Sequence, residues 1–322
     1  MRFFRQDILS ENLMALPACR KQMPIGTLLM DALDKLIDLA QLNGRIDTCC
    51  RIGGGFHLAH LPEPQTARLH WVVSGTGRLK IGDTEHALKP GDAVLLPYDT
   101  AHSISDSAQG LLQPPGRPSL SALGALKLEE CGGSSLQLLC GCYRYARHAS
   151  LWLGMPEHLL LPLPELRPIA VMMMQEAGQN EDGGASVIDA LSQVLLIGAL
   201  RRYRQTGGTS LLSQLEDTRL NVLLRALLNA PQDDWDIGKM CQIAHLSRAQ
   251  LMRLFKQHLG HSPHRFVQSL RLQQAAAQLR SGSDTVLRVS LDNGFASEAH
   301  FNRVFKAYFG QTPKQYRKAE TQ

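Results

Sequence analysis

One stretch near the C-terminus occurs twice, and it limits the fold more than any other feature. Residues 247–266 read SRAQLMRLFKQHLGHSPHRF and residues 297–316 read SEAHFNRVFKAYFGQTPKQY. At an offset of 50, Ser247 pairs with Ser297, Arg253 with Arg303, and Phe255-Lys256 with Phe305-Lys306. The same offset pairs Gly260 with Gly310, Pro263 with Pro313 and Phe266 with Tyr316. Two copies are too few for a solenoid, whose units need stacked neighbours, so the stretch is a duplicated functional unit.

Each copy spells a capped helix. Ser247 and Ser297 can accept an orphan amide at the helix start. Leu251, Leu254, Phe255 and Leu259 recur at helical spacing, as do Phe301, Val304, Phe305 and Phe309, giving each helix one apolar face. Gly260 and Gly310 stand where a glycine ends a helix. Ser262-Pro263 and Thr312-Pro313 then restart one, with proline at the first helical position. A short helix is predicted before each copy, over Ile237 to Ala244 and Thr285 to Asp292. Helix, turn and capped helix make a helix-turn-helix, whose second helix can enter a DNA major groove.

The groove-facing side would carry Arg248, Ala249, Met252, Arg253 and Lys256 in the first copy, and Glu298, Ala299, His300, Arg303 and Lys306 in the second. Arg253 and Arg303 are the expected base readers, because a guanidinium bonds a guanine edge bidentately. Their alternative role is a phosphate or carboxylate contact. Ala249 and Met252 offer only apolar contact, for instance to a thymine methyl. Glu298 can accept from cytosine, and His300 can reach a purine. Lys256 and Lys306, with Lys314 and Arg317, suit phosphates, which position a protein without specifying sequence.

With its Gly294-Phe295 turn, RLFK and RVFK cores and LGHSP and FGQTP exits, residues 215–322 resemble the DNA-binding domain of the AraC/XylS family of transcriptional regulators. That resemblance implies a stiff linker helix, here Pro263 to Arg280, between two units that enter successive grooves about 34 Å apart. It also implies promoter DNA and RNA polymerase as partners. Cys241 and Ser290 stand where the family usually has alanine, and Asn293 where an apolar residue is common.

The charge distribution agrees. From residue 230 onward there are 13 Lys+Arg against 7 Asp+Glu, a balance of +6, leaving −1 of the total +5 for residues 1–229. Positive charge gathered on the repeats is what a phosphate-binding module needs. A chain of 322 residues allows two domains. Nothing approaches roughly 18 uninterrupted apolar residues, and the start, MRFFRQDILSENLMALP, lacks an apolar secretory core. A cytoplasmic protein is therefore expected. Its seven cysteines are an odd number, and no disulfide framework is predicted.

Residues 1–29 lack periodicity and are expected to be a flexible arm or a product of start-site choice. MDALDKLIDLAQLNG, from Met30, reads as an amphipathic helix. From about 46 to 146, short β-branched runs alternate with Gly and Pro turns, a small barrel or jelly-roll pattern. Gly110 to Gly124 is expected to be an exposed loop, SLQLLCGCYRYA a returning strand, and residues 150–184 mixed helix and loop. Ala185 to Arg204 is an amphipathic helix with a stripe of Val187, Leu191, Val194, Leu195 and Leu200. Its surplus apolar surface points to a homodimer contact. The expected fold is thus an N-terminal β-barrel with flanking helices over 30–205, a linker over 206–214, and the all-α tandem domain.

KPGDAVLLPYDTAH resembles the second conserved motif of cupins. That resemblance implies a metal site of three histidines and a carboxylate, but the first cupin motif is missing around His70. Only His102, with His70 as a loose companion, is assignable. No metal and no cofactor are expected; a metal-dependent cupin enzyme carrying a DNA-binding module is the rival reading. No P-loop, dinucleotide fingerprint or nucleophile elbow is present, and the glycines at 53–55 read as a turn.

The cysteines are the other candidates for chemistry. Cys49 and Cys50 are adjacent and precede Arg51, whose charge could lower a thiol pKa. Cys140 and Cys142 are two apart on a strand and share a face. Three uses stay open: oxidant sensing, inert burial, or soft-metal binding by Cys49, Cys50, Cys140 and Cys142. Residues 30–150 resemble the sensor domain of RclR-like regulators, which respond to reactive chlorine species. That resemblance implies Cys50 and Cys140 as the switching pair, while the long insertion and Cys49, Cys131 and Cys142 depart from it. A small-ligand effector is the remaining alternative.

Overall fold

The computed structural model describes residues 31–319 apart from 56, 107–118, 147–148, 150–151, 153, 180, 209 and 216–217. The expected N-terminal arm, with Cys19, and most of the expected 110–124 loop lie outside the described residues.

The N-terminal part opens with α1 (Ala32–Ala40), whose cap Asp31 exchanges hydrogen bonds with Asp34 in a capping box. The strands follow as β1 (Asn43–Ile52), β2 (His57–His60), β3 (Thr66–Gly75), β4 (Gly77–Ile81), β5 (Thr84–Leu88), β6 (Asp92–Leu96) and β7 (His102–Asp106). After them come β8 (Ser119–Leu123), β9 (Leu126–Cys131), β10 (Leu136–Arg144) and β11 (Leu159–Pro162), then α2 (Arg167–Gln179) and α3 (Gly184–Arg204). Two sheets form, ordered β11-β6-β3-β10-β1-β9-β8 and β2-β7-β4-β5. Cys50, Ile52, Leu58, Val72, Leu79, Leu138 and Cys140 form one buried cluster that draws on both sheets. Ile46, Cys49, Leu69, Trp71 and Leu139 belong to a second cluster that includes α1, α2 and α3. Strand alternation explains the division, since neighbouring residues point to opposite faces.

The barrel and flanking helices are as expected, with three differences in detail. Ser119–Leu123, read as loop, is an antiparallel strand on β9. It is almost wholly exposed, and its short Ser-Leu-Ser-Ala alternation lies inside a run rich in Gly, Pro and Ser that reads as loop. Leu159–Pro162 is a strand on β6 that the short run LLLP could not distinguish from loop or helix. The third difference is the phase of α3. Beyond Gly184 at its start, its buried residues are Ile188, Ser192, Leu195, Leu196, Ala199, Leu200 and Tyr203, while Val187 and Val194 remain 39% and 43% exposed. A helix with apolar residues on several sides leaves its phase to contacts. Here Ser192 Oγ accepts from the Ile46 amide at 3.1 Å, its carbonyl accepts from Tyr143 Oη at 3.1 Å, and Asp189 meets Arg45 at 2.9 Å. By length and composition α3 could cross a membrane, but its Leu195–Ala199 face is built into the core.

Ser210 caps α4 (Leu211–Gln214), and Leu211, Leu212 and Leu215 are fully buried, so the connection between the two halves ends in a packed helical turn. Next come α5 (Thr218–Asn229), α6 (Ile237–Ala244), α7 (Arg248–Leu259) and α8 (Pro263–Ser281), followed by α9 (Val286–Asp292), α10 (Glu298–Phe309) and α11 (Pro313–Ala319). Ser247 closes a capping box with Gln250, and Ser297 accepts from the His300 amide. Such caps are each worth about 1 kcal/mol. Gly260 and Gly310 end α7 and α10 in left-handed geometry, at φ 70 and 78. The duplication extends to packing. Phe266 meets Phe255 edge-on at 5.9 Å, and Tyr316 meets Phe305 edge-on at 5.4 Å. Cys241 is half-buried against the core and Ser290 fully buried, as their small-residue positions require. Buried Asn293 satisfies its amide nitrogen on Gln278 Oε1 and the Val289 carbonyl, both at 2.8 Å.

Arg271, on α8, fastens the two units together. Its guanidinium donates to the carbonyls of Pro231 (2.7 Å), Asp233 (2.7 Å) and Gly294 (2.9 Å). The turn of the second unit is thereby tied to the loop entering the first.

Candidate DNA-reading helices and a thiol–imidazole cluster

On α7, Leu251, Leu254, Phe255 and Leu259 face the core, leaving Arg248, Ala249, Met252, Arg253 and Lys256 exposed. On α10, Phe301, Phe305 and Phe309 are buried while Ala299, His300, Arg303 and Lys306 are exposed and Glu298 is half-buried. Among the described residues neither Arg253 nor Arg303 has an ion-pair partner, which leaves both guanidinium forks available to an outside acceptor. Lys256 Nζ donates to the Gly260 carbonyl, at 3.3 Å. The ten expected contact residues thus occupy two equivalent helical surfaces.

Inside the barrel a second constellation appears. Cys50 Sγ lies 3.2 Å from Cys140 Sγ, and both side chains are buried. Register explains the approach: β1 and β10 pair Thr48 with Cys140 and Cys50 with Leu138, so the two cysteines are diagonal neighbours on one face. Cys49 points the other way, into the layer beneath the helices, where Gln137 Nε2 approaches its sulfur at 3.5 Å. The four-cysteine metal cage is therefore not assembled, because adjacent strand residues cannot share a face. Arg51 is occupied by Glu130 at 3.0 Å, and burial pushes the Cys49 thiol up despite that neighbouring charge. The hydrogen bond with Cys50, reinforced by burial, pushes the Cys140 thiol well up. Cys142 is half-buried, and burial raises its thiol as well.

Cys140 sits opposite His70 in the β10–β3 register, with Sγ 3.1 Å from His70 Nδ1. His70 Nε2 is 2.8 Å from His102 Nε2, and His102 Nδ1 is 2.7 Å from the Thr100 carbonyl. His60 pairs with His102 across β2 and β7 and stacks on it, with ring centroids 4.9 Å apart. One ligand nitrogen from each of the three rings falls within 4.8 Å of the other two. The expectation of His102 with a loose His70 thus counted one histidine too few. His60 was missed because it belongs to no cupin motif and lies on a four-residue strand of the opposite sheet. The only signal in the sequence was an unexplained histidine beside a proline-rich turn.

The proton positions follow from chemistry. A carbonyl can only accept, so His102 carries its proton on Nδ1 and presents a bare Nε2. His70 then donates from Nε2 to His102, and its Nδ1 accepts from the Cys140 thiol. Burial holds all three rings below the usual imidazole range, His60 at about 4. Beside them Arg68 makes a bidentate pair with fully buried Asp99, at 2.6 and 3.0 Å, and its positive charge adds to the effect.

That burial sets a pH dependence. Each folded-state pKa lies below the unfolded value, so the unfolded chain binds more protons under pH 6.5. The stabilisation is full above that value and lost as pH falls through the folded pKa. For His60, falling from 6.5 to about 4, the loss is about 3 kcal/mol. Thermal melts of chelator-treated protein between pH 7.5 and 4.5 should show falling stability, with a shallower slope for His60→Gln. An unchanged slope in that variant would remove His60 as a source.

Comparison with known proteins agrees with this architecture. Residues 31–205 match the cupin family model, and residues 240–319 match a helix-turn-helix domain model. An HTH-type transcriptional regulator of Haemophilus influenzae is 38% identical over 90% of this chain and 99% of its own length. The HTH-type transcriptional regulator MtrA of Neisseria gonorrhoeae is 38% identical over 90% of this chain and 98% of its own. RclR of Escherichia coli, an RCS-specific HTH-type transcriptional activator, is 28% identical over 89% and 97%. With duplicated helix-turn-helix units behind a cupin barrel, the chain belongs to the AraC-type family of HTH transcriptional regulators.

Proposed function

We propose that α7 and α10 read promoter DNA through Arg253 and Arg303, and that the Cys50–Cys140 pair is an oxidant switch controlling that reading. The observation that carries the switch is the 3.2 Å approach of two buried sulfurs on strands that also hold α3. Diagonal neighbours across strands stand roughly 7–8 Å apart at the backbone. A disulfide usually spans about 4.4–6.8 Å between Cα atoms, so closing this one must draw β1 and β10 together. β1 is irregular between Ile46 and Thr48, where it can yield. Ile46, Arg45 and Tyr143 all bond α3, which leads through α4 into the DNA-binding domain. A local bond thereby biases a two-state arrangement of the halves.

The chemistry needs a two-electron oxidant of the hypochlorous acid class. Two thiols and hypochlorous acid give one disulfide, water, chloride and a proton; the thiols lose two electrons and the chlorine gains them. Because both thiols are buried and Cys140 is held neutral, weak oxidants that require an exposed thiolate are disfavoured. The relationship to RclR supports the same reading. The protein acts in the cytoplasm with RNA polymerase as partner, and a second copy covers the exposed Val187 and Val194 of α3. It is not an enzyme in this reading.

A second reading rests on a cavity of about 640 Å³ bounded by both halves, with Tyr98, Tyr145 and Trp152 on one side and Arg265, Gln268 and Tyr308 on the other. A small amphipathic effector there would act on the same interface with inert thiols. Genome-wide footprinting with and without hypochlorous acid separates the two. Bound sites should carry two half-motifs about one helical turn apart. Their occupancy should change with oxidant in the wild type and not in Cys50→Ser or Cys140→Ser. An equal change in both serine variants would eliminate the thiol switch and leave the cavity.

A further inference from the structure

We propose that His60, His70 and His102 bind a divalent transition metal of the zinc class, and that Cys140 ties its affinity to the redox state of the Cys50–Cys140 pair. The second half of this inference rests on the thiol-switch reading; the first half stands without it.

The donor set is drawn one residue each from β2, β3 and β7, so the site would bridge the two sheets. It is not the paired-histidine and glutamate set expected of a cupin. Three imidazole nitrogens with an open fourth position suit zinc-class ions. The ligand nitrogens already lie within 4.8 Å of one another, whereas zinc–nitrogen bonds of about 2.0–2.1 Å in a tetrahedron need roughly 3.3 Å between them. Small ring rotations cover the difference. The 2.8 Å contact between His70 and His102 must open slightly, while His60 must close.

The partners behind the ligands point the same way. Metal-bound histidine ordinarily gives its other ring N–H to an acceptor that fixes its orientation. His102 already does so with the Thr100 carbonyl. For His70 the acceptor is Cys140 sulfur. When a metal takes the Nε2 lone pair of His70, the ring proton sits on Nδ1 and is donated to Sγ, 3.1 Å away. A disulfide draws that sulfur toward Cys50 and makes it a poorer acceptor. His70 then loses its support, and the metal is held less tightly. The exposed histidines and carboxylates of the molecule offer nothing comparable: among the described residues this is the one group of three or more metal-ligating side chains found together.

The test uses the full-length protein and zinc or cobalt as the probe. Reduced wild type, in competition with a chromophoric chelator, should bind one equivalent of Zn²⁺, and Co²⁺ should give the visible spectrum of a four-coordinate site. His60→Ala with His102→Ala should weaken binding at least 100-fold, while circular dichroism and DNA binding report an intact fold. Binding by that double variant equal to wild type would overturn the site. Cys140→Ala should cost 10–100-fold in affinity, the usual effect of removing such a partner, and Cys50→Ala much less. Cys140→Ser, which keeps an acceptor, should recover most of the loss. Equal affinities for Cys140→Ala and wild type would overturn the role of Cys140. Treatment with hypochlorous acid should remove two hydrogens by mass and weaken zinc binding in the wild type alone. Disulfide formation without weaker zinc binding would refute the coupling. Absence of a disulfide would refute the thiol switch and the redox coupling with it, leaving the reduced-protein titrations to decide the metal site.

Discussion

Reversing both arginines, in Arg253→Glu with Arg303→Glu, is expected to weaken binding to a preferred promoter site on the order of a thousandfold. Each bidentate guanine contact discriminates by roughly 1–3 kcal/mol, and a carboxylate in its place adds repulsion from neighbouring phosphates. The positions belong to separate helices and separate units, so their losses should add. A combined loss of about 4 kcal/mol corresponds to the stated factor. Both side chains are exposed and free of ion pairs among the described residues, so stability should change by about 0.5 kcal/mol or less. Lys256→Ala offers the contrast: a weaker loss, shared by all sequences, with a shallower salt dependence. Electrophoretic mobility shifts on specific and scrambled duplexes would check all three variants. Unchanged affinity and selectivity in the double reversal would mean that α7 and α10 are not the reading helices.

Gly294→Ala is expected to be the most damaging small change in the DNA-binding domain. Gly294 has φ +75, and a Cβ there would stand 2.5 Å from the Gln232 carbonyl oxygen and 3.1 Å from the Arg271 guanidinium carbon. Left-handed backbone costs a non-glycine residue about 1–3 kcal/mol, and the obstructing atom is backbone, which cannot rotate aside. Together with the clash, a loss of roughly 3 kcal/mol or more is expected in denaturant unfolding of the full chain. Gly294→Asn separates the two causes. Asparagine tolerates left-handed geometry, yet its Cβ meets the same carbonyl, so it should remain strongly destabilised. Arg271→Met should reproduce the functional part, because it releases the carbonyls of Pro231, Asp233 and Gly294 that fix one unit against the other. Binding to two correctly spaced half-sites should then fall further than binding to one. Full stability in Gly294→Ala would show that the turn can move away from the 231–233 loop.

Much of this architecture is legible in the chain itself where the interactions are local. Ser247, Gly260, Ser297 and Gly310 work within a few residues of where they sit, so spacing alone marks both α7 and α10. The same holds for the barrel, whose turns carry their own glycines and prolines. Legibility fades where a choice depends on distant partners. The phase of α3 is set by bonds from Ser192 to Ile46 and Tyr143, more than forty residues away in sequence. Strand β8 is masked by its Gly-, Pro- and Ser-rich surroundings, and its exposed faces leave its short alternation no buried side to support it.

By itself, then, the sequence determined two duplicated, capped helices of a helix-turn-helix pair, the positive charge gathered around them and a β-barrel ahead of them, because capping, periodicity and charge act over short spans. The resemblance to RclR-like sensors already names Cys50 and Cys140; only the tertiary structure showed that their sulfurs touch while Cys49 is turned away, and that His60 joins His70 and His102. Register places Cys50 diagonal to Cys140 and turns Cys49 away, and the closing of one sheet over the other brings the three rings together. Pairing between strands ninety residues apart leaves no mark in the linear order of side chains, because what creates the site is which face each strand presents and what the opposite sheet lays against it.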